Sequence, residues 1–159
     1  MNKLESVITI LKKRKLSIAA AESCTGGYLS YLLTKTAGSS KVFKGAIVAY
    51  TPQIKNKLLK IPLSELKKTE GVSLKVSLLL AKNIKKSLNS DIGASVVGFA
   101  GPTTKKGIKV GTVFISIADK KGELVKKLSI KGNRDFVRKK ASLALIDLIY
   151  KRLNKYSGL

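Results

Sequence analysis

The chain has 159 residues, a size for one domain with a full core, and its 32 lysines and arginines against 9 acidic residues give a formal charge of +23. It has no histidine and a single cysteine. That excludes Ser-His-Asp and Cys-His catalysis, histidine-containing metal sites, thiolate metal clusters and an intrachain disulfide. No apolar run approaches the roughly 18 residues of a membrane span, so no membrane association is expected.

Met1-Asn2-Lys3-Leu4-Glu5 mixes charges and leads into an amphipathic pattern, so no signal peptide is expected. A lone cysteine fits a reducing compartment, and a cytoplasmic location follows. The basic excess invites a nucleic-acid reading. Against it, the only arginines are Arg14, Arg134, Arg138 and Arg152, and the lysines are scattered rather than gathered in one stripe. Arginine is the favoured residue for bidentate phosphate and base contacts. A composition bias is the preferred explanation: weak, salt-sensitive attraction to polyanions, but no specific nucleic-acid partner.

Leu4, Val7, Ile8 and Leu11 predict a helix over 3–15, closed by Lys12-Lys13-Arg14-Lys15. Leu16 to Ala21 reads as a first strand. A turn, Glu22-Ser23-Cys24-Thr25-Gly26-Gly27, leads into a second helix from Thr25 to about Thr36, stopped near Gly38. Val42 to Tyr50 reads as the second strand, and Pro52 opens a helix carrying Ile54, Leu58 and Leu59. Pro62 to Leu66 suggests a short helical turn and Val72 to Leu88 a full helix. Ile92 to Phe99 reads as the third strand, followed by Gly98-Phe99-Ala100-Gly101-Pro102 and a polar loop over Thr103–Lys109. Val110–Ala118 and Glu123–Ile130 form an antiparallel hairpin about Asp119-Lys120-Lys121-Gly122. The last helix starts at Asn133 or Arg134 and runs to about Lys155.

Strands alternating with helices predict a three-layer α/β sheet, mainly parallel, with one strand made antiparallel by the hairpin. Ligands of such sheets sit beyond the carboxyl ends of the strands. The turns at Glu22–Gly27, Tyr50–Lys55 and Gly98–Thr104 therefore converge on one edge. Ser23 is a candidate nucleophile at a helix start, though Ser23 and Thr25 equally suit helix caps. Tyr50 and Lys55 can reach the same pocket, and a lysine in a dry, cationic pocket can act as a base. The alternatives are a solvated helix lysine and a strand-end core aromatic. Cys24 is a rival nucleophile without a histidine to activate it. The Gly98–Pro102 loop suits a phosphate or an aromatic ring, or is only a tight turn.

The ordered set Ala21-Glu22-Ser23-Cys24-Thr25-Gly26-Gly27, Ala37-Gly38-Ser39-Ser40, Phe43-Lys44-Gly45, Val48-Ala49-Tyr50 with Lys55, Gly98-Phe99-Ala100-Gly101-Pro102, Val110-Gly111-Thr112-Val113 and Gly132-Asn133-Arg134-Asp135-Phe136-Val137-Arg138 closely resembles the CinA C-terminal-domain family, the nicotinamide-nucleotide amidases. The match covers nearly the whole chain. The resemblance implies one α/β/α domain over residues 1–159 with a mixed five-stranded sheet. It also implies hydrolysis of the carboxamide of nicotinamide mononucleotide to nicotinic acid mononucleotide and ammonia, with neither metal nor cofactor. A small-molecule nucleotide substrate and a homo-oligomer are expected. The amino-terminal domain of longer members has no counterpart in these residues, so its pyrophosphatase activity is not expected.

Carried over by position, the family's nucleophile falls on Ser23, its base on Lys55 and its tyrosine on Tyr50. Thr25, Gly26, Gly27, Gly98, Ala100 and Gly101 would shape the substrate and oxyanion sites, and Arg134 or Arg138 would meet the phosphate. The chain departs from the family at Val97, where a threonine or serine is usual, and across Thr103-Thr104-Lys105-Lys106-Gly107-Ile108-Lys109, where Asp-Gly-Gly and Lys-Pro are usual. Those departures leave an alternative: a nucleotide- or phosphate-binding module with impaired catalysis.

Overall fold

A computed structural model describes residues 2–105 and 107–155. Met1, Lys106 of the polar loop and residues 156–159 of the expected domain lie outside the described residues. The order is α1 (Lys3–Arg14), β1 (Ile18–Glu22), α2 (Tyr28–Lys35), a single 3-10 turn (Ser39–Lys41), β2 (Phe43–Val48), α3 (Pro52–Leu59), α4 (Leu63–Thr69), α5 (Leu74–Ser87), β3 (Ile92–Gly98), β4 (Thr112–Asp119), β5 (Gly122–Ser129) and α6 (Arg134–Asn154).

The strands form one sheet ordered β2-β1-β3-β4-β5. β1 pairs in parallel with β2 and β3, whereas β4 pairs antiparallel with both β3 and β5. Only β4 therefore runs against the other four strands. This is the mixed, mainly parallel five-stranded sheet of the expected α/β/α class.

Side-chain alternation along β1 explains the layers. Ile18 and Ala20 point into a core built by Val7, Ile8 and Leu11 of α1, Leu29 and Leu33 of α2, and Val137, Leu145 and Ile149 of α6. Ala19 and Ala21 point to the opposite face, against Leu59 of α3, Leu66 of α4, and Val76, Leu80 and Ile84 of α5. Small residues in this interior strand let helices lie close on both sides. Gly93 shows the same need at β3, because a Cβ there would stand 1.9 Å from the carbonyl oxygen of Ala81 in α5.

The helix ends carry local signals. Asn2 and Glu5 form a capping box on α1, and Thr51 and Ser73 cap α3 and α5 through their hydroxyls. Several predicted bounds shift. β1 begins at Ile18 and includes Glu22, α2 begins at Tyr28 rather than Thr25, and β4 begins at Thr112 rather than Val110. α4 is two turns rather than one. Gly26 and Gly27 explain the late start of α2: their φ values of +55° and +99° hold the chain in a turn before the helix can propagate. Among the described residues, no helix is long and apolar enough to cross a membrane.

Candidate active site

The three turns predicted to share an edge do so. A cavity of about 390 Å³ is walled by Ser23 and Cys24 after β1, Tyr50 and Lys55 after β2, and Gly98 to Gly101, Thr103 and Thr104 after β3. Glu70, Val72, Lys105 and Arg134 complete it. Its size falls in the usual range for small-molecule sites. A larger hollow of about 510 Å³ between α1, α2 and α6 contains no hydroxyl or thiol side chain.

Ser23 extends β1 by one hydrogen bond, its N–H donating to the Val96 carbonyl at 3.1 Å. The strand end thus fixes where the serine side chain leaves the sheet. Glu22, the last residue of β1, is buried, and its carboxylate takes the place of a cap for α2. One oxygen accepts from the Thr25 hydroxyl at 2.6 Å and from the N–H groups of Gly27 and Leu29 at 3.2 and 3.0 Å. The other accepts from the Ser30 N–H at 3.0 Å and from its hydroxyl. A carboxylate is favoured there because helix N-terminal N–H groups are otherwise unpaired and carry partial positive charge.

Lys55 stands on the first turns of α3 and points inward with only 2% of its surface exposed. Its Nζ donates to Ser23 Oγ at 2.9 Å and to the Tyr50 carbonyl at 3.4 Å. Its stem packs beside Gly71, where a Cβ would lie 3.3 Å from Lys55 Cδ. Burial lowers the lysine pKa from 10.5 to about 8, against a smaller upward pull from Cys24. The solvated-lysine alternative does not hold. Cys24 is also buried, and burial raises its thiol to about 11 against the opposing pull of Lys55. Such a thiol stays protonated at neutral pH and is a poor nucleophile.

Tyr50 is 53% exposed, so it is not a core aromatic. Its hydroxyl accepts from Arg134 Nη2 at 2.6 Å, and only its backbone carbonyl touches Lys55. Tyr50 and Lys55 share the pocket, but the tyrosine hydroxyl meets arginine rather than the lysine. Arg134 also donates from Nη1 to the Gly101 carbonyl at 2.7 Å, joining the start of α6 to the loops after β2 and β3.

Gly98, Ala100 and Gly101 line the cavity as expected, whereas Thr25, Gly26, Gly27 and Arg138 do not. The Thr25 hydroxyl is spent on Glu22. The Gly26 N–H donates to the Ser23 carbonyl at 3.0 Å and the Gly27 N–H to Glu22, so neither glycine is free to meet a substrate oxyanion. Arg138 lies behind the wall, donating from Nε to the Cys24 carbonyl at 3.1 Å and from Nη2 to the Thr25 carbonyl at 3.0 Å. Of the two candidate phosphate residues, Arg134 is the one at the cavity.

Val97 is fully buried in the α3–α5 core and does not line the cavity. Thr103 and Thr104 do line it. Sequence reasoning gave Glu22, Glu70 and Lys105 no role. For Glu22 the signal was present, an acidic residue just ahead of a helix start. Glu70 and Lys105, 4.0 Å apart, come together only through the fold.

Fold and site define a three-layer α/β domain that holds a buried serine–lysine pair at the carboxyl edge of a mixed sheet. Residues 2–153 match the family model of the CinA C-terminal domain. The chain is 38% identical over 149 residues to a CinA-like protein of Cytophaga hutchinsonii, covering 92% of this chain and 35% of that protein. It is 37% identical over 150 residues to a CinA-like protein of Kosmotoga olearia, covering 94% and 36%. The chain thus spans about a third of the length of these curated relatives.

Among solved structures, a CinA superfamily protein from Klebsiella pneumoniae has the same fold, with a TM-score of 0.91 at 22% identity, covering 98% of this chain and 99% of that one. A competence/damage inducible protein from Agrobacterium tumefaciens aligns with a TM-score of 0.89 at 26% identity, covering 97% of each. This chain belongs to the CinA C-terminal domain family.

Proposed function

We infer that the protein is a serine amidohydrolase that removes ammonia from the carboxamide of nicotinamide mononucleotide. One observation carries the reading: Lys55 Nζ lies 2.9 Å from Ser23 Oγ in a buried setting that lowers the lysine pKa to about 8. A fraction of such lysine is neutral near pH 7 and can take the serine proton, the role a histidine would play elsewhere. Ser23 Oγ then adds to the carboxamide carbon, and the proton held by Lys55 passes to the departing nitrogen. Ammonia leaves an acyl-enzyme ester on Ser23. Water, deprotonated by the same lysine, releases the carboxylate and restores the serine. The net change is amide plus water to carboxylate plus ammonia.

Arg134 brings positive charge to the cavity, which suits the phosphate of a nucleotide, whereas Lys105 is offset by Glu70 at 4.0 Å. Arg134 has five N–H donors and keeps some free beyond its bonds to Gly101 and Tyr50. The Gly98–Gly101 loop faces the place of the pyridine ring. The reading includes a single domain acting in the cytoplasm as a homo-oligomer, without a specific nucleic-acid partner.

The loop of Thr103, Thr104 and Lys105, which departs from the family pattern and lines the cavity, favours a second reading: the pocket binds the nucleotide without turning it over. Chromatography of nicotinamide mononucleotide incubated with the protein separates the two. Conversion to nicotinic acid mononucleotide supports the amidohydrolase. Saturable binding with the nucleotide recovered intact supports the binding module.

A further inference from the structure

Glu70 carries the only carboxylate among the described residues of the cavity, whose other charged side chains are Lys55, Lys105 and Arg134. The serine–lysine chemistry gives it no part. It follows the last residue of α4, with its N–H on the Leu66 carbonyl and a left-handed φ of +52°. The next residue, Gly71, lies against the Lys55 stem, where a Cβ would stand 3.3 Å from Cδ and 3.5 Å from Cε. Glu70 therefore enters the cavity from the Lys55 side, with its side chain 32% exposed.

α4 packs on the face of the sheet that carries α3 and α5, whereas α6, which supplies Arg134, packs on the other. Carboxylate and guanidinium thus reach the cavity from opposite sides. A ligand matched to that arrangement carries both signs of charge, a cation at one end and an anion at the other. Nicotinamide mononucleotide does: its N-ribosylated pyridine ring is a cation and its phosphate an anion. The charged nitrogen lies in the same ring as the carboxamide. Holding the carboxamide carbon at Ser23 therefore carries the positive charge into the cavity rather than leaving it at the mouth. A cation taken out of water beside Lys55, Lys105 and Arg134 needs a counter-charge, and Glu70 supplies it. The Lys105 ammonium, 4.0 Å from Glu70 Oε2, already marks a place for a cation beside that carboxylate, and its side chain, 70% exposed, can swing away when a ligand cation arrives.

We propose that Glu70 is a specificity-determining residue whose carboxylate meets the pyridinium ring, so that the site selects nucleotides with a cationic ring over the same nucleotides with a neutral one. It rests on the amidohydrolase reading for the ligand, but not on turnover.

The test measures affinity by calorimetry on the whole protein in a Ser23→Ala background, which keeps the ligand intact. The two ligands are nicotinamide mononucleotide and its reduced 1,4-dihydro form, which share carboxamide, ribose and phosphate and differ in ring charge. With Glu70 present, the oxidised form should bind roughly tenfold more tightly, the scale of one partly buried charge pair. Glu70→Gln, which keeps size and polarity, should bring the two affinities together, chiefly by weakening the oxidised form. Lys105→Met breaks the same ion pair but leaves the carboxylate, so it should keep the preference.

Equal affinity for the two forms with Glu70 present would overturn the proposal, as would a preference that survives Glu70→Gln. A preference lost in Lys105→Met would also overturn it, by tracing the effect to the loop contact. 1-Methylnicotinamide, a cation, and neutral nicotinamide are measured beside the nucleotides. A protein that binds neither nucleotide but favours 1-methylnicotinamide through Glu70 keeps the cation site and rejects only the nucleotide reading. Binding of none of the four rejects both.

Discussion

Replacing Lys55 by methionine keeps much of the buried stem and removes the charge. The lysine pKa falls from 10.5 to about 8 on folding, through burial. At about 1.4 kcal/mol per pH unit, holding the ammonium inside costs on the order of 3 kcal/mol. Between about pH 8 and 10.5 the unfolded chain binds the proton and the folded one does not, so stability rises with pH across that window. Below pH 8 both states are protonated and the full cost is present. Lys55→Met should therefore be more stable than the natural protein at pH 7, by roughly 2 kcal/mol after loss of the Ser23 hydrogen bond is deducted. The advantage should shrink above pH 8 and vanish or reverse near pH 10.5. Urea unfolding of both proteins at pH 7, 9 and 10.5 measures it, since the other lysines cancel in the difference. A difference that does not change with pH would refute a depressed Lys55.

Glu22→Ala leaves the α2 N-terminus and the Thr25 and Ser30 hydroxyls without their carboxylate and should cost roughly 3 kcal/mol or more, read as a lower urea midpoint. Arg134→Gln should raise KM for nicotinamide mononucleotide roughly tenfold with little change for unphosphorylated nicotinamide, measured by ammonia release from each. Tyr50→Phe removes the acceptor of Arg134 Nη2, so KM for the nucleotide should rise while the pH midpoint of kcat stays near 8. A midpoint displaced in Tyr50→Phe would show that the hydroxyl acts on Lys55 directly.

Much of the fold was readable because the core faces repeat at helical or strand spacing. Val7, Ile8 and Leu11 marked α1, and the Asp119–Gly122 turn fixed the hairpin that sets β4 against the other strands. The Glu22–Gly27 turn was harder. Ser23 and Thr25 carry the residue types of a cap, yet Glu22 performs the capping from inside the strand, and the turn at Gly26 and Gly27 makes the helix start three residues late. Lys55 could not be separated from the other lysines by composition. Its burial depends on α3 docking against the sheet, and only the family pattern singled it out beforehand. The Arg134 and Arg138 pair was legible as a charge source but not as a division of labour. Four residues apart on α6, one reaches the cavity and the other the back of the Glu22–Gly27 turn.

The most direct measurement is ammonia release from nicotinamide mononucleotide across pH 6 to 10, with Ser23→Ala beside the natural protein. The account predicts release by the natural protein that climbs with pH through a midpoint near 8, as Lys55 loses its proton, and none by a folded Ser23→Ala. Release retained by Ser23→Ala, or none from the natural protein at any pH, would contradict the serine–lysine hydrolase.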